Sequence, residues 1–274
     1  MKNIILFDSD VRDRLLPLTF TRPVCELRVG ILTIKEKWEK WLNGKASYIT
    51  QDYLSTKFPI QISDVNYVIN GAVMPSVQLC RLIEQLEINE ALLEDGELIA
   101  TKLDERQFEN LMNDTEIEEL QGFDVEDTAY LKIEELTDIY KLNDQAIRDD
   151  FTLLTKNRTS QPLSATNQVL GRENIFVELG AKVECAILNA SNGPIYIGAN
   201  TEIMEGAIVR GSLALCEGAK IKLGAKLYGG NTIGPYSKVG GEINKAVIIG
   251  YSSKAHDGYL GSSVIGEWCN IGAD

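Results

Sequence analysis

Residues 197–240 carry a six-residue repeat, IGANTE-IMEGAI-VRGSLA-LCEGAK-IKLGAK-LYGGNT-IGPYSK-VG. Each group opens with an aliphatic residue: Ile197, Ile203, Val209, Leu215, Ile221, Leu227, Ile233 and Val239. A period of six matches neither a helix nor a strand, but it is typical of a parallel β-helix. The repeat therefore predicts a triangular prism that the aliphatic side chains fill, with glycines serving the turns.

The repeat resembles the hexapeptide-repeat family of left-handed parallel β-helices, and the left-handed sense is implied by that resemblance. Many members of the family are acyltransferases that form trimers and bind acyl-CoA between neighbouring prisms, whereas others serve only as scaffolds. The resemblance implies a homotrimer that uses acetyl-CoA.

The six-residue phase fails between Val239 and Ile265. We expect an insertion that leaves the coil there, over Ile249–Gly261 (I-G-Y-S-S-K-A-H-D-G-Y-L-G), because such insertions commonly carry the functional residues of a solenoid. The segment contains His256, the single histidine of the chain. A lone histidine is often a surface or structural residue, but imidazole is also the natural base near neutral pH.

The segment S-K-A-H-D-G-Y-L-G-S-S-V-I-G-E-W-C-N-I-G-A, residues 253–273, resembles the acetyltransferase domain of the bifunctional N-acetylglucosamine-1-phosphate uridyltransferase/glucosamine-1-phosphate acetyltransferase family. The resemblance implies that His256 is the general base for attack of the sugar amine on acetyl-CoA. It also implies sugar contacts from Tyr259 and Asn270 and a backbone contact from Ala273 to acetyl-CoA. This chain lacks the family glycine directly before the histidine.

Two further features concern this half of the chain. Lys245 matches a family lysine near the substrate after a one-residue shift, and the alternative is a solvated charge. The sequence stops at Asp274, directly after N-I-G-A and in the middle of a coil. Because a bare coil exposes edge strands and core, we expect a truncated chain whose natural form continues.

The amino-terminal half is predicted to be mixed α/β. Strands are expected at Asn3–Phe7 and Asn66–Asn70, and helices at Ile31–Trp41 and Val77–Glu90, from their apolar patterns. The acidic stretch 104–144 is expected to form a solvated helical face and loops.

A polar stretch, Thr155–Asn167, is the expected linker between two domains. We therefore place an α/β domain at 1–160 and an incomplete β-helix domain at 161–274.

The segment R-L-L-P-L-T-F-T-R-P, Arg14–Pro23, resembles the signature of sugar-phosphate nucleotidyltransferases, in which a glycine-rich loop precedes R-L-x-P-L-T-x-x-R-P-K. In that family the loop N–H groups cradle a triphosphate and the lysine helps to neutralise it. The resemblance implies a Rossmann-like domain that takes a nucleotide and a sugar phosphate. It makes Arg14 and Arg22 candidate phosphate contacts, with structural salt bridges as the alternative.

The sequence departs from this signature on both sides. The loop Phe7–Asp13, F-D-S-D-V-R-D, has three carboxylates and no glycine, and Val24 stands where the family has lysine. Asp8 and Asp10 are candidate ligands for Mg²⁺, with a structural or solvent role as the alternative. The resemblance is therefore to a divergent branch of the family.

Composition limits the partners. With 27 basic and 40 acidic residues the net charge is −13, which argues against nucleic acid and anionic membranes. The five cysteines form no C-x-x-C pair, so neither a disulfide framework nor a thiolate metal site is expected. No signal peptide or membrane span is predicted, so we expect a cytoplasmic protein.

These features predict a transferase of sugar-nucleotide biosynthesis that acetylates an amino-sugar phosphate and carries a nucleotidyltransferase-like front domain. The resemblance to the bifunctional family implies UDP-N-acetylglucosamine as the sugar nucleotide. The alternatives are a catalytically silent sugar-nucleotide-binding or regulatory protein and a trimeric scaffold.

Overall fold

The computed structural model describes residues 1–112, 120–125 and 128–273. The predicted acidic stretch 104–144 lies partly outside the described residues, as does the chain end at Asp274. The chain forms two compact units, which consist of Met1–Leu27 with Thr33–Glu135 and of Arg28–Leu32 with Leu136–Asp274.

The first unit is built on a six-stranded sheet with the order β2-β1-β3-β5-β4-β6, in which β5 runs antiparallel to both of its neighbours and the other pairs are parallel. Its strands are β1 (Lys2–Phe7), β2 (Gly44–Ile49), β3 (Val65–Asn70), β4 (Glu90–Glu94), β5 (Glu97–Asp104) and β6 (Gln121–Asp124). The two predicted strands correspond to β1 and β3, and their aliphatic residues Ile4, Ile5, Leu6, Val68 and Ile69 are buried in the core. The parallel order β2-β1-β3 places the carboxyl ends of these strands along one edge, where ligands bind in open α/β sheets.

Short helices accompany the sheet: α1 (Val11–Arg14), α2 (Ile34–Trp41), α3 (Asp52–Ser55), α4 (Val77–Gln85) and α5 (Glu105–Met112). Helix α2 begins later than predicted because the Thr33 hydroxyl accepts from the Glu36 N–H while the Glu36 carboxylate accepts from the Thr33 N–H. Helix α4 starts after the Ser76 cap and ends at Gln85, where the backbone turns extended.

The second unit contains two helices and a solenoid. The helices are α6 (Leu136–Lys141) and α7 (Asn143–Thr155). The strands are β7 (Gln168–Leu170), β8 (Ile175–Val177), β9 (Lys182–Val183), β10 (Ile187–Asn189), β11 (Ile195–Ile197), β12 (Glu202–Ile203), β13 (Ile208–Arg210), β14 (Leu213–Leu215), β15 (Lys220–Ile221), β16 (Lys226–Leu227), β17 (Asn231–Ile233), β18 (Lys238–Val239), β19 (Glu242–Gly250), β20 (Ser253–Lys254) and β21 (Tyr259–Glu267).

Every strand pair of the solenoid is parallel, and the strands form three faces. The first face contains β7, β10, β13, β16 and the starts of β19 and β21. The second contains β8, β11, β14, β17 and the later parts of β19 and β21, and the third contains β9, β12, β15, β18 and β20. The predicted fold class, a Rossmann-like α/β unit followed by a left-handed parallel β-helix, is confirmed.

The aliphatic residue of each six-residue group faces the interior of the prism. All eight residues from Ile197 to Val239 in this phase are at most 2% exposed and belong to one core cluster. Burial of each such side chain stabilises the fold by about 1.5–3 kcal/mol. The period therefore predicted the core correctly.

The predicted insertion after Val239 is wrong. Ile221 pairs with Val239, eighteen positions later, whereas Val239 pairs with Lys254, only fifteen positions later. The coil is shortened but unbroken. Leu227 pairs with Ile243, only sixteen positions later, so two residues are lost between Val239 and Ile243, and a third is lost where β19 turns the next corner at Lys245, whose φ is +51°. The six-residue spacing is therefore lost because the coil is shorter, and the chain does not leave the solenoid there.

The helices after Glu135 group with the solenoid, whereas the sequence assigned everything up to residue 160 to the first domain. Ile147 of α7 shares an apolar cluster with Ala214 and with Ile31, a residue of the short segment Arg28–Leu32. Asp150 accepts from the Ile31 N–H at 2.8 Å. This buried contact explains why residues 31–32, predicted to open α2, belong to the second unit.

Candidate functional site

The loop after β1 is organised by Asp8. One carboxylate oxygen accepts from the Val24 N–H at 2.8 Å, and the other accepts from the Thr50 hydroxyl at 2.6 Å. Burial raises the pKa of Asp8, and these hydrogen bonds together with the nearby Arg12 oppose the rise. Both oxygens of Asp8 therefore serve the packing of this loop.

Arg12, which the sequence analysis did not single out, is the buried cation of the loop. Its guanidinium donates to the Thr19 carbonyl at 2.9 Å and to the Tyr53 hydroxyl at 2.5 Å, and its Nε lies 3.7 Å from Asp8. The Thr19 hydroxyl donates in return to the Arg12 carbonyl at 2.8 Å. The sequence Arg12-Asp13-Arg14 does not indicate which of the two arginines is buried.

The predicted phosphate contacts occupy different surroundings. The Arg14 Nε donates to the Glu134 carbonyl at 3.1 Å and lies 3.4 Å from the Glu135 carboxylate, which corresponds to the salt-bridge alternative. Arg22 is half-buried, and Asp10 is exposed.

The loop does not fit a divalent cation. The oxygens of Asp8 are already engaged, and the described part of the chain contains no cluster of three or more histidine, cysteine or carboxylate side chains suited to a metal ion. The exposed carboxylates of Asp10 and Asp13 stand where a triphosphate would need N–H groups and cations. Val24 is buried and supplies no charge.

In the second unit, Lys254 holds the segment that carries His256. Lys254 occupies the inward position that an aliphatic residue fills in the preceding coil, and it is 6% exposed. Its ammonium lies 3.0, 2.6, 3.2 and 3.0 Å from the carbonyl oxygens of Gly240, His256, Asp257 and Gly258. Burial lowers the pKa of Lys254. The carbonyls turn inward around this cation, and the His256 side chain is exposed.

Tyr259 follows on the same corner of the prism and is 64% exposed. Its ring lies over Gly261, where a Cβ atom would overlap the phenol hydroxyl. A cavity of about 450 Å³, lined in part by Lys226, Glu242 and Tyr259, lies beside this loop. The structure thus brings His256 and Tyr259 onto one short exposed loop.

The remaining predicted residues lie on other parts of the solenoid. Asn270 is exposed and forms a parallel bridge with Ser253 of β20, and Ala273 is exposed near the end of the described residues. Lys245 lines a different cavity, of about 550 Å³, together with residues of α6 and α7. No sequence pattern indicated this second cavity, because helices far apart in sequence from the repeat form one of its walls.

Comparison with known protein families identifies a family over more than half of the chain. The model of a family described as Sugar nucleotidyl transferase matches residues 4–159. No curated protein matches the chain. Among the described residues, no helix combines the length and apolar character needed to cross a membrane.

Proposed function

The chain belongs to the sugar nucleotidyl transferase family, and we propose that this sugar-nucleotide-related transferase acetylates an amino-sugar phosphate in its second unit, where residues 253–273 resemble an acetyltransferase domain. The acetyl donor is acetyl-CoA. The observation that carries the proposal is the Lys254 ammonium, which holds the loop carbonyls inward and leaves the imidazole of His256 exposed beside Tyr259.

His256 acts as the general base. The neutral sugar amine attacks the thioester carbonyl, a nitrogen–carbon bond forms, and the carbon–sulfur bond breaks. The amine proton passes to the imidazole, which returns it to the departing CoA thiolate. The sugar nitrogen becomes positively charged when it bonds to the thioester carbonyl carbon. It must lose a proton before the stable amide is formed, and the base accepts that proton.

Three other residues have supporting roles in the proposal. Tyr259 packs against the sugar and Asn270 hydrogen bonds to it, while the Ala273 backbone contacts acetyl-CoA. The exposure of all three leaves them accessible to small molecules. Assembly into a homotrimer is part of the proposal and is tested by light scattering of the full chain.

The first unit is proposed to bind a sugar nucleotide, with Arg14 and Arg22 near the phosphates. A catalytically silent binding role for this unit is the second candidate function. The observation that favours a silent role over catalysis is the engagement of Asp8 with the Val24 N–H and the Thr50 hydroxyl, because it uses a backbone N–H of the loop that a triphosphate would otherwise need.

The test measures CoA release from acetyl-CoA with glucosamine 1-phosphate. We expect His256→Ala to lower kcat by about 10²–10⁴-fold, the range for removal of a general base, with an unchanged circular dichroism spectrum. The exposed Lys238, on β18 of the third face, gives the matched control Lys238→Ala. Wild-type rates in His256→Ala would exclude the assigned base. Absence of CoA release by the wild-type protein, with stabilisation by UDP-N-acetylglucosamine, would favour the silent binding role.

A further inference from the structure

Three asparagine–glycine pairs occur in the chain, at Asn43–Gly44, Asn70–Gly71 and Asn192–Gly193. In such a pair the glycine nitrogen can attack the side-chain amide of the asparagine, because glycine has no side chain to obstruct the approach. The attack is easiest where the glycine N–H makes no hydrogen bond and the asparagine side chain can turn towards it. The fold determines which of the three pairs meets these conditions.

The two pairs of the first unit are restrained by its sheet. The Gly71 N–H donates to the Phe7 carbonyl at 2.8 Å, and Asn70 is fully buried. Gly44 is the first residue of β2 and pairs with Lys2 of β1. Ring closure at either pair would therefore disturb strand pairing, and we expect both pairs to be protected in the folded chain.

Asn192 and Gly193 lie in the bend between β10 and β11 of the solenoid. Asn192 is exposed, and Gly193 is buried against the next coil, where a Cβ on it would lie 2.8 Å from the Ser212 nitrogen. Among the residues that the structure describes, neither the Gly193 N–H nor the Asn192 side chain has a hydrogen-bond partner. No hydrogen bond must therefore be broken before the side chain, which lies at the surface, turns towards this nitrogen.

We propose that Asn192–Gly193 is a self-modification site, at which the folded chain converts Asn192 to isoaspartate and Arg148 directs the choice of product. In the first step the Gly193 nitrogen bonds to Cγ of Asn192 and gives its proton to water. The bond from Cγ to the side-chain nitrogen breaks, and ammonia leaves. The product is a five-membered cyclic imide that includes the main-chain carbonyl of Asn192.

Arg148 determines which bond of the imide water breaks. Its Nη2 donates to the main-chain carbonyl oxygen of Asn192 at 2.7 Å, and its Nε donates to Asp144 at 2.8 Å, so the guanidinium is held in place. Water that adds to this carbonyl carbon puts negative charge on the oxygen that the guanidinium contacts. The bond from this carbon to the Gly193 nitrogen then breaks, and the chain continues through Cγ as isoaspartate. One water is consumed, one ammonia is released, and the new carboxylate pairs with Arg148.

The test incubates the full chain at mildly alkaline pH in heavy-oxygen water and follows each asparagine–glycine pair by peptide mass spectrometry. Each hydrolysed imide carries one heavy oxygen and is about 3 Da heavier than asparagine, which separates modification during incubation from modification during digestion. Electron-transfer fragmentation distinguishes isoaspartate from aspartate. We expect Asn192 to react at least about tenfold faster than Asn43 and Asn70, which require local opening of the sheet, and to give mainly isoaspartate.

Unfolding in urea is the matched control, because it removes the restraints on all three pairs. We expect the three rates to become similar in urea, and the ratio of isoaspartate to aspartate at Asn192 to fall to that of the other pairs.

In the folded chain, Arg148→Gln should lower this ratio by about tenfold, the effect of losing a charge-assisted contact, whereas Lys156→Gln, an exposed change on the same side of the chain break-free segment after α7, should not. The comparison of folded with unfolded wild type keeps the test decisive if Arg148→Gln does not fold. The proposal would be overturned by an unlabelled Asn192 in the folded chain, by an equal rate at Asn43 or Asn70, or by a ratio that neither urea nor Arg148→Gln lowers.

Discussion

Lys254 departs from the aliphatic repeat and still completes the coil. Its stem replaces an aliphatic side chain on the inner side of the prism, while its ammonium satisfies carbonyls that the shortened coil turns inward. A buried ammonium is tolerated only where its donors are paired, and here four carbonyls share three N–H groups. Lys254 therefore completes the shortened coil and also holds the loop on which the His256 side chain is exposed.

Gly261→Ala would add a single Cβ atom where the Tyr259 ring now lies. The missing side chain of Gly261 makes room for the Tyr259 ring, so Gly261→Ala should displace the ring without disturbing the solenoid core. We expect kcat/KM for CoA release to fall by about tenfold or more, because small displacements of a substrate contact carry costs of this order. Steady-state kinetics and thermal melts on the same preparation measure both effects.

Gly272→Ala is the matched control for this substitution, since a Cβ there meets no atom within 4 Å. It should leave kcat/KM and the melting temperature unchanged. Equal rates in Gly261→Ala and the wild type would show that the position of the Tyr259 ring is unimportant to the reaction.

At the scale of the coil, aromatic residues replace the usual small residues of one corner. Tyr236, Tyr251 and Trp268 stack in successive coils with centroids 5.6 and 4.8 Å apart, and each has a φ between +51° and +59°. Bulky residues rarely adopt this region, so stacking and edge packing must offset the backbone cost. The same column continues at Gly218, which lies under the Tyr236 ring.

Gly218→Ala is predicted to destabilise the solenoid. A Cβ at Gly218 would lie 2.6 Å from ring atoms of Tyr236, and φ there is +65°. Gly224→Ala is the matched control, because φ is +67° and a Cβ meets nothing within 4 Å. Both should lose about 1 kcal/mol from backbone strain, and Gly218→Ala a further ~1–3 kcal/mol from overpacking, measured by chemical unfolding. Equal losses in the two variants would contradict the clash.

An ion pair joins the segment after α7 to the first coil. The Arg158 guanidinium makes two hydrogen bonds to Glu178, at 2.9 and 2.7 Å, and the Tyr196 hydroxyl donates to the same carboxylate at 2.7 Å. Burial alone would raise the pKa of Glu178, but these hydrogen bonds lower it below 4.5. Its contribution to stability is therefore complete above pH 4.5 and is lost as the pH falls through the lower, folded-state pKa.

Glu178→Gln should remove this dependence on pH. At neutral pH we expect a loss of about 1 kcal/mol, because Arg158 is partly solvated and the pair is screened. The difference between variant and wild type should shrink as the pH falls below 4.5. Urea unfolding at several pH values measures it, with the exposed Glu173→Gln as control. A difference that stays constant down to pH 2 would contradict the assigned pair.

The core of the solenoid was predictable because it depends on a local period, and residues such as Ile221 point inward wherever the period holds. The path of the chain after Val239 could not be predicted in the same way. A coil can lose residues at a corner while its side chains still point into the prism, and the six-residue spacing in the sequence is then lost. The role of Asp8 was also not predictable, since its partners Val24 and Thr50 come from distant segments that only the folded sheet brings together.

At the scale of the whole molecule, charge is distributed differently in the two units. The first presents carboxylates on the loop after β1, where its family would be expected to bind phosphates. The second gathers Lys141, Arg148 and Lys245 around one cavity and exposes His256 on a loop. The anionic groups of a substrate are therefore better accommodated by the second unit.

This distribution predicts that the molecule does not release pyrophosphate from UTP and N-acetylglucosamine 1-phosphate, even with added Mg²⁺. A triphosphate would meet the exposed carboxylates of Asp10 and Asp13, with the neutral Val24 in place of a lysine, and like charges in such proximity oppose binding. Coupled detection of pyrophosphate should stay at the protein-free background, while the same preparation releases CoA in the acetyl-transfer assay. Pyrophosphate release that Arg14→Gln abolishes would contradict this prediction, since it would place a working phosphate contact on the loop despite its carboxylates.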